Sequence, residues 1–143
     1  MNVAAILRTK GNSVETAQPD WPVSQACTRL TELGIGALVV SADGKQVDGI
    51  ISERDVIRHL ARAGAGILDL RVADIMISEV VTCASDDNIA HLMETMTEHR
   101  IRHLPVVEDG ALIGLVSIGD VVKHRIRETE QEAEALKAYI ATG

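Results

Sequence analysis

The sequence predicts an α+β fold made of two β-α-β-β-α repeats related by a pseudo-two-fold axis. Three observations lead there. The phrase GIISERD, Gly49 to Asp55, recurs as GLVSIGD, Gly114 to Asp120, with Gly, Ser and Asp at matching places 65 positions apart. Upstream, IGALVV from Ile35 is matched by IRHLPVV from Ile101, 66 positions on. The one-residue difference falls in the turn between them, SADGKQVDG against VEDGALIG, where insertions are tolerated. Finally, both halves run through the same order of apolar-periodic and turn segments, the mark of a duplicated supersecondary unit.

The elements follow in order. A short strand is expected around Val14 to Thr16 and again around Val80 to Thr82. Asp20-Trp21-Pro22 opens the first helix, with Pro near the first turn, where its missing amide costs nothing. Val23, Ala26, Cys27, Leu30 and Leu33 then share one face. Ser85-Asp86-Asp87 opens the counterpart helix, with Ile89, Leu92, Met93 and Met96 inward. An apolar strand comes next, ALVV or HLPVV, and then an Asp-Gly pair, Asp43-Gly44 or Asp109-Gly110, which is a strong hairpin signal. The second hairpin strand, GII or GLV, runs into a helix over Val56 to Ala63 in one half and Val121 to Ile126 in the other. At that junction Ser-x-x-Asp reads as a capping box, with Ser52 or Ser117 as the cap. Ala63-Gly64-Ala65-Gly66 punctuates the join, giving repeats over 1–65 and 66–127. The tail, 128–143, spaces Leu136, Tyr139 and Ile140 helically; it is expected as a C-terminal helix that packs on the module or on a second chain.

Composition narrows the function. In 143 residues, 46% are apolar, yet there is no Phe, one Trp and one Tyr, so the core must be aliphatic. A net charge of −7 argues against a nucleic-acid partner, which needs a net basic surface. No stretch approaches the roughly 20 apolar residues of a membrane span, and Val3 to Leu7 is too short for a signal-peptide core, so the chain reads as cytoplasmic. Cys27 and Cys83 stand alone without CxxC spacing and read as buried free thiols. His59, His91, His99, His103 and His124 show no HExxH spacing, and nothing completes a metal sphere around His91 and His99. Neither a catalytic nor a metal site is expected.

What the repeated junction offers is a place for a nucleotide. Amides at a helix start attract anions, and a Ser hydroxyl adds a donor. An Asp nearby would repel phosphate, but it can accept bonds from the neighbouring hydroxyls of a ribose. Arg100, Arg102 and His103 cluster before Leu104-Pro105; Arg100 is read as a solvated strand edge. Lys10 and Arg54 are further candidate cations.

With RIRHLPVVEDG followed by GLVSIGDVV, and with the paired phrases ending in Ser-x-x-Asp, the chain resembles a tandem CBS-domain pair, or Bateman module, from about Ile6 to Ile126. ILRTKG, IGALVV and SERD are similar to stand-alone bacterial members. The resemblance implies a non-catalytic sensor that binds an adenine nucleotide such as AMP, ADP, ATP, NAD or S-adenosylmethionine in clefts between its halves. It implies that Asp55 and Asp120 hold ribose, Ser52 and Ser117 line the phosphate side, and Arg102 and His103 meet phosphate. Arg54 would also reach phosphate, and Lys10 and Thr82 would flank the adenine or the phosphate. The first half carries Gly36, Ala37 and Val39 where the second has Arg102, His103 and Pro105. Ile77 and Ala84 stand where Thr and Pro are common in the family. One good site containing Arg102 or His103 is therefore expected, with a second that is weaker or adapted to another ligand. The family further implies a homodimer and a separate, unidentified downstream protein partner. The alternative is a structural dimerisation module with vestigial clefts, and a third reading is a nucleotide-processing enzyme.

Overall fold

The computed structural model describes residues 1–11 and 13–142. The first β-containing layer is a three-stranded sheet of order β1-β2-β3, in which β1 (Thr16–Ala17) runs parallel to β2 (Ala37–Val40), and β2 pairs antiparallel with β3 (Gly49–Ser52). The second is the hairpin of β4 (His103–Glu108) and β5 (Ala111–Ser117). The short strand expected at Val80 to Thr82 is reduced to one parallel bridge between Cys83 and Val106, the counterpart of the Ala17–Val40 pair.

Helix α2 (Val23–Leu33) forms on the predicted face, with Val23, Ala26 and Leu30 buried against the sheet. Its counterpart α5 (Ile89–His99) starts later than Ser85-Asp86-Asp87 suggests. Asp87 spends its carboxylate on the Ala84 amide at 2.8 Å, leaving Asn88 to cap by accepting from the His91 amide at 2.7 Å. Ile89, Leu92 and Met96 are buried, but Met93, expected inward, is exposed.

The two Asp-Gly pairs behave differently. Asp109 and Gly110 both take positive φ, 52° and 77°, and close a two-residue hairpin. Asp43-Gly44 lies instead in a longer loop between Val40 and Gly49, where Asp43 accepts from the Lys45 and Gln46 amides, each at 2.9 Å. Those side-chain bonds fold the loop on itself and take the place of a tight turn.

Helix α3 (Glu53–Ala63) follows β3 directly, and α6 (Ile118–Thr142) follows β5. The tail expected as a separate helix is the continuation of α6, with Leu136, Tyr139 and Ile140 exposed; Gly143 lies outside the described residues. Among the described residues, no helix is long and apolar enough to cross a membrane.

The cores are exchanged between the sequence repeats. Helix α1 (Val3–Lys10) buries Val3, Ile6 and Leu7 with Ile89, Leu92, Leu104 and Val116 of the second half. Helix α4 (Val72–Ile75), at the start of the second repeat, closes the first core with Val23, Leu38 and Ile51. Each upstream helix therefore seals a hairpin, and the glycine of the repeated phrase makes room for it. A Cβ at Gly49 would lie 2.5 Å from Met76 Sδ and 2.9 Å from the Ile77 carbonyl, and one at Gly114 would lie 2.6 Å from Leu7 Cδ2. Cys83 is buried in the second core; burial, then the charge of Asp87, pushes its thiol up to about 12, so it is an unreactive free thiol at neutral pH.

Candidate functional site

The repeated phrase first does what a helix start requires. Ser52 Oγ accepts from the Asp55 amide at 3.3 Å, and Asp55 Oδ2 accepts from the Ser52 amide at 2.9 Å, a reciprocal capping box. The Ser52 hydroxyl also donates to Asp55 Oδ2 at 2.8 Å. The second copy repeats the box, with Asp120 Oδ2 taking the Ser117 amide at 2.9 Å and Ser117 Oγ the Asp120 amide at 3.2 Å. Such boxes satisfy two orphan helix amides each. They use one oxygen of each carboxylate.

The other oxygen of Asp55 is left over. Its nearest basic partner is Arg58 at 3.8 Å, beyond hydrogen-bond length, although the residue is only 4% exposed. Among the described residues that oxygen accepts no hydrogen bond, and it is not sealed off, since the one wholly buried side-chain polar atom left without a partner is His124 Nε2; it is therefore open to accept a bond from a ligand.

Asp55 lines a cavity of about 300 Å³ between the repeats. One side comes from the first repeat, with Gly36, Ala37, Ile50, Ser52, Arg54 and Arg58. The other is the segment His99 to His103, which carries Arg100 and Arg102 from the second repeat. Arg102 and His103, expected beside the second phrase, thus join the first, because the two halves face each other across the pseudo-two-fold axis. The His103 ring packs over Gly36, where a Cβ would lie 3.4 Å from both His103 Cε1 and Glu53 Oε1, ordinary contact distance. Burial, then the Lys10 and Arg102 charges, lowers the His103 pKa against the opposing pull of Glu53 and Asp120, and the ring is neutral at pH 7.

Sequence reasoning passed over two arginines. Arg58 sits one helical turn after Asp55, a signal available in the spacing. Arg100, read as a solvated edge, lines the cavity and caps α5 at φ 53°, a left-handed conformation costly for a side-chain-bearing residue. Its counterpart at the end of α2 is Gly34, at φ 63°. Among the described residues, Arg54, Arg100 and Arg102 form no ion pair.

Ser117, Asp120 and Lys10 lie elsewhere. Lys10 Nζ donates to Asp120 Oδ2 at 2.7 Å and to the Leu115 carbonyl at 2.8 Å. Burial works to raise the Asp120 carboxyl, but the Lys10 ammonium and the Ser117 amide outweigh it and hold the group below the usual range. Lys10 and Asp120 line a separate hollow of about 300 Å³ with Ile6, Thr9, Lys123, His124 and Arg127. Thr82 is exposed and lines neither hollow. Among the described residues, no cluster of His, Cys, Asp and Glu is arranged to hold a metal ion.

Comparison with known proteins agrees with this architecture. A mitochondrial CBS domain-containing protein of Arabidopsis thaliana, CBSX3, is 36% identical over 149 aligned positions, covering 99% of this chain and 72% of that protein. The crystal structure of the CBS-domain containing protein ATU1752 from Agrobacterium tumefaciens superposes with a TM-score of 0.84 at 44% identity, covering 87% of this chain and 99% of that one. The CBS domain pair of protein MJ0100, crystallised in complex with 5′-methylthioadenosine and S-adenosyl-L-methionine, shares the fold with a TM-score of 0.76 at 24% identity, over 86% of this chain and 98% of that one. Several curated relatives are longer, the chain spanning between 72% and 22% of the first four. The family profile of the CBS domain matches twice, over residues 3–62 and 72–127. With both repeats matched and the fold superposing on solved members, the chain belongs to the CBS domain family as a tandem pair.

Proposed function

We propose that the cavity between the repeats holds a phosphate-bearing adenine nucleotide, AMP, ADP, ATP or NAD, and that the chain is a non-catalytic regulatory module that reads its level. The observation that carries this reading is the Asp55 oxygen without a donor, set in one cavity with guanidinium groups from the opposite repeat. A ribose hydroxyl supplies the missing donor, and a hydrogen bond to a charged group contributes about 1.5–3 kcal/mol. Ser52 lies beside it. Arg54, Arg58, Arg100 and Arg102 outnumber the carboxylates of Asp55 and Glu53 in that cavity, in a chain whose net charge is −7. This local surplus favours phosphate, which guanidinium binds in a fork. It disfavours a cationic sulfonium ligand of the kind crystallised with MJ0100, whose likeness to this chain is one of fold alone. Ile50, Ile77 and Ile101 offer apolar walls for a flat base, and the choice of adenine rests on the CBS family.

Such a ligand touches both repeats, so its binding favours the arrangement in which they lie close, shifting populations by its difference in affinity for the two states. Ile57 and Leu60 on α3, with Val122 and Ile126 on α6, are exposed apolar residues at the helices that follow each phrase. They suit a second copy of the chain, giving a homodimer.

Thermal melts with AMP, ADP, ATP, NAD and S-adenosylmethionine test the reading. A phosphate-bearing ligand at 100 times its dissociation constant should add about 2.7 kcal/mol of stability. Asp55→Asn should weaken that response, and S-adenosylmethionine should give the least. No response to any of the five would leave a structural module, and turnover of a nucleotide during incubation would restore an enzyme.

A further inference from the structure

Helix α6 outgrows the fold. Its first turns pack on α1, α5 and β5, but every residue from Thr129 to Thr142 is exposed, a stretch of about 20 Å at the α-helical rise. An isolated helix of that length is marginal in water, and this one leaves Leu136, Tyr139 and Ile140 in solvent, 59%, 76% and 67% exposed.

The exposed residues of small or apolar kind are ordered along it. Val122, Ile126, Thr129, Ala133, Leu136 and Ile140 follow at alternating steps of four and three, a stripe that starts on the module and runs to the free end. That spacing repeats every seven residues, as in a two-stranded coiled coil. Ile126, Ala133 and Ile140 then take the a positions, and Val122, Thr129 and Leu136 the d positions. Ile at a with Leu at d suits two parallel strands.

The charges beside the stripe select the occupant. In a parallel pair each g residue faces the e residue five positions on in the other helix. Arg125 then meets Glu130 of the second copy, and Glu132 meets Lys137, opposite charges both times. An antiparallel pair with the same layers matched sets Glu130 against Glu130, Glu132 against Glu132 and Lys123 against Lys137, like charges in all three. Glu130 and Glu132 form no ion pair among the described residues. Arg125 and Lys137 hold only exposed pairs one turn away, to Glu128 at 3.1 Å and Glu134 at 3.7 Å, and such pairs are weak enough to exchange. From Glu128 onward four Glu stand against Lys137, which opposes an anionic lipid surface as the occupant.

We propose that the free half of α6 pairs in parallel and in register with the same helix of a second copy of this chain, as a short coiled coil. The proposal rests on the homodimer reading above and adds the orientation of the two copies; it needs no nucleotide.

Disulfide trapping of the full chain tests it, with Ala133→Cys on the stripe and Cys27→Ala removing the half-buried thiol; Cys83 is buried and unreactive. Matching a residues lie side by side only in a parallel pair, so mild oxidation should link two chains through position 133. Glu132→Lys and Lys137→Glu, each added to that background, set like charges together and should slow linking at least about tenfold, while mixing the two variants should restore it. A melt checks that each variant folds. No link at position 133, equal linking in the charge variants, or a mixture that fails to recover overturns the proposal. Linking between an Ala133→Cys chain and a Thr129→Cys chain instead would show an antiparallel pair and overturn it too. A dimer in sedimentation that does not link at position 133 leaves the homodimer reading standing and this proposal fallen; a monomer removes both.

Discussion

The same carbonyl position is served by a backbone amide in one repeat, Ile77 to Ile50, and by a lysine side chain in the other, Lys10 to Leu115. The same helix end is turned by Gly34 in one and by Arg100 in the other. Duplication kept the framework of hairpin, capping box and sealing helix, because each half must bury its own aliphatic core. It did not keep the side chains that face the hollows. Where a position carries packing, as Gly49 and Gly114 do, both copies agree; where it faces a hollow, as Gly36 and Arg102 do, they part. The difference separates residues kept for the fold from residues available for a ligand.

The sharpest way to break that comparison is at the shared glycines. A Cβ at Gly49 meets the Ile77 backbone carbonyl as well as Met76, whereas at Gly114 it meets only the flexible Leu7 side chain. Overpacking costs about 1–3 kcal/mol, so Gly49→Ala should fall near the top of that range and Gly114→Ala near the bottom. Urea unfolding of the two variants checks the order. Equal costs would mean that the sealing helices yield alike.

Arg100 gives a smaller effect with opposite signs in two assays. Arg100→Gly relieves a left-handed side-chain residue at the end of α5, and, after the added freedom of the unfolded chain, should stabilise the fold by about 0.5–1 kcal/mol. The same change removes a cation from the cleft and should weaken AMP. A variant both more stable and better at binding AMP would detach Arg100 from the site.

The smallest effect lies in acid. Asp120 has its carboxyl lowered in the fold, so its contribution is complete above the ordinary carboxyl value of 3.8 and is lost as pH falls through the lower folded value. Lys10→Met should flatten the acid limb of stability against pH in that window and leave the curve above pH 6 with its wild-type shape. An unchanged acid limb would show that the Lys10–Asp120 contact contributes nothing to folding.

What was legible in the sequence was local. Ser52 with Asp55, and Ser117 with Asp120, are three residues apart, and the capping box follows from spacing alone. The faces of α2 and the Asp109-Gly110 turn are local too. What failed needed the third dimension. Helix α1 opens the first repeat yet seals the second core, and Arg102 is adjacent in sequence to the second hairpin yet lines the first cleft. Both follow from the pseudo-two-fold axis, which sets neighbours in space far apart in sequence. The start of α5 was missed for a different reason, since Asp87 had two uses open to it and the turn at Ala84 took precedence over the cap.

The central claim is that one cleft draws its carboxylate from the first repeat and its phosphate clamp from the second. Measuring AMP and adenosine affinities for wild type, Asp55→Asn and Arg102→Ala by calorimetry tests it most directly. Asp55→Asn should weaken both ligands by a similar factor, because both carry the ribose. Arg102→Ala should weaken AMP about tenfold and leave adenosine nearly unchanged. Equal losses of AMP and adenosine in Arg102→Ala would contradict the account, because the second repeat would then not be holding the phosphate.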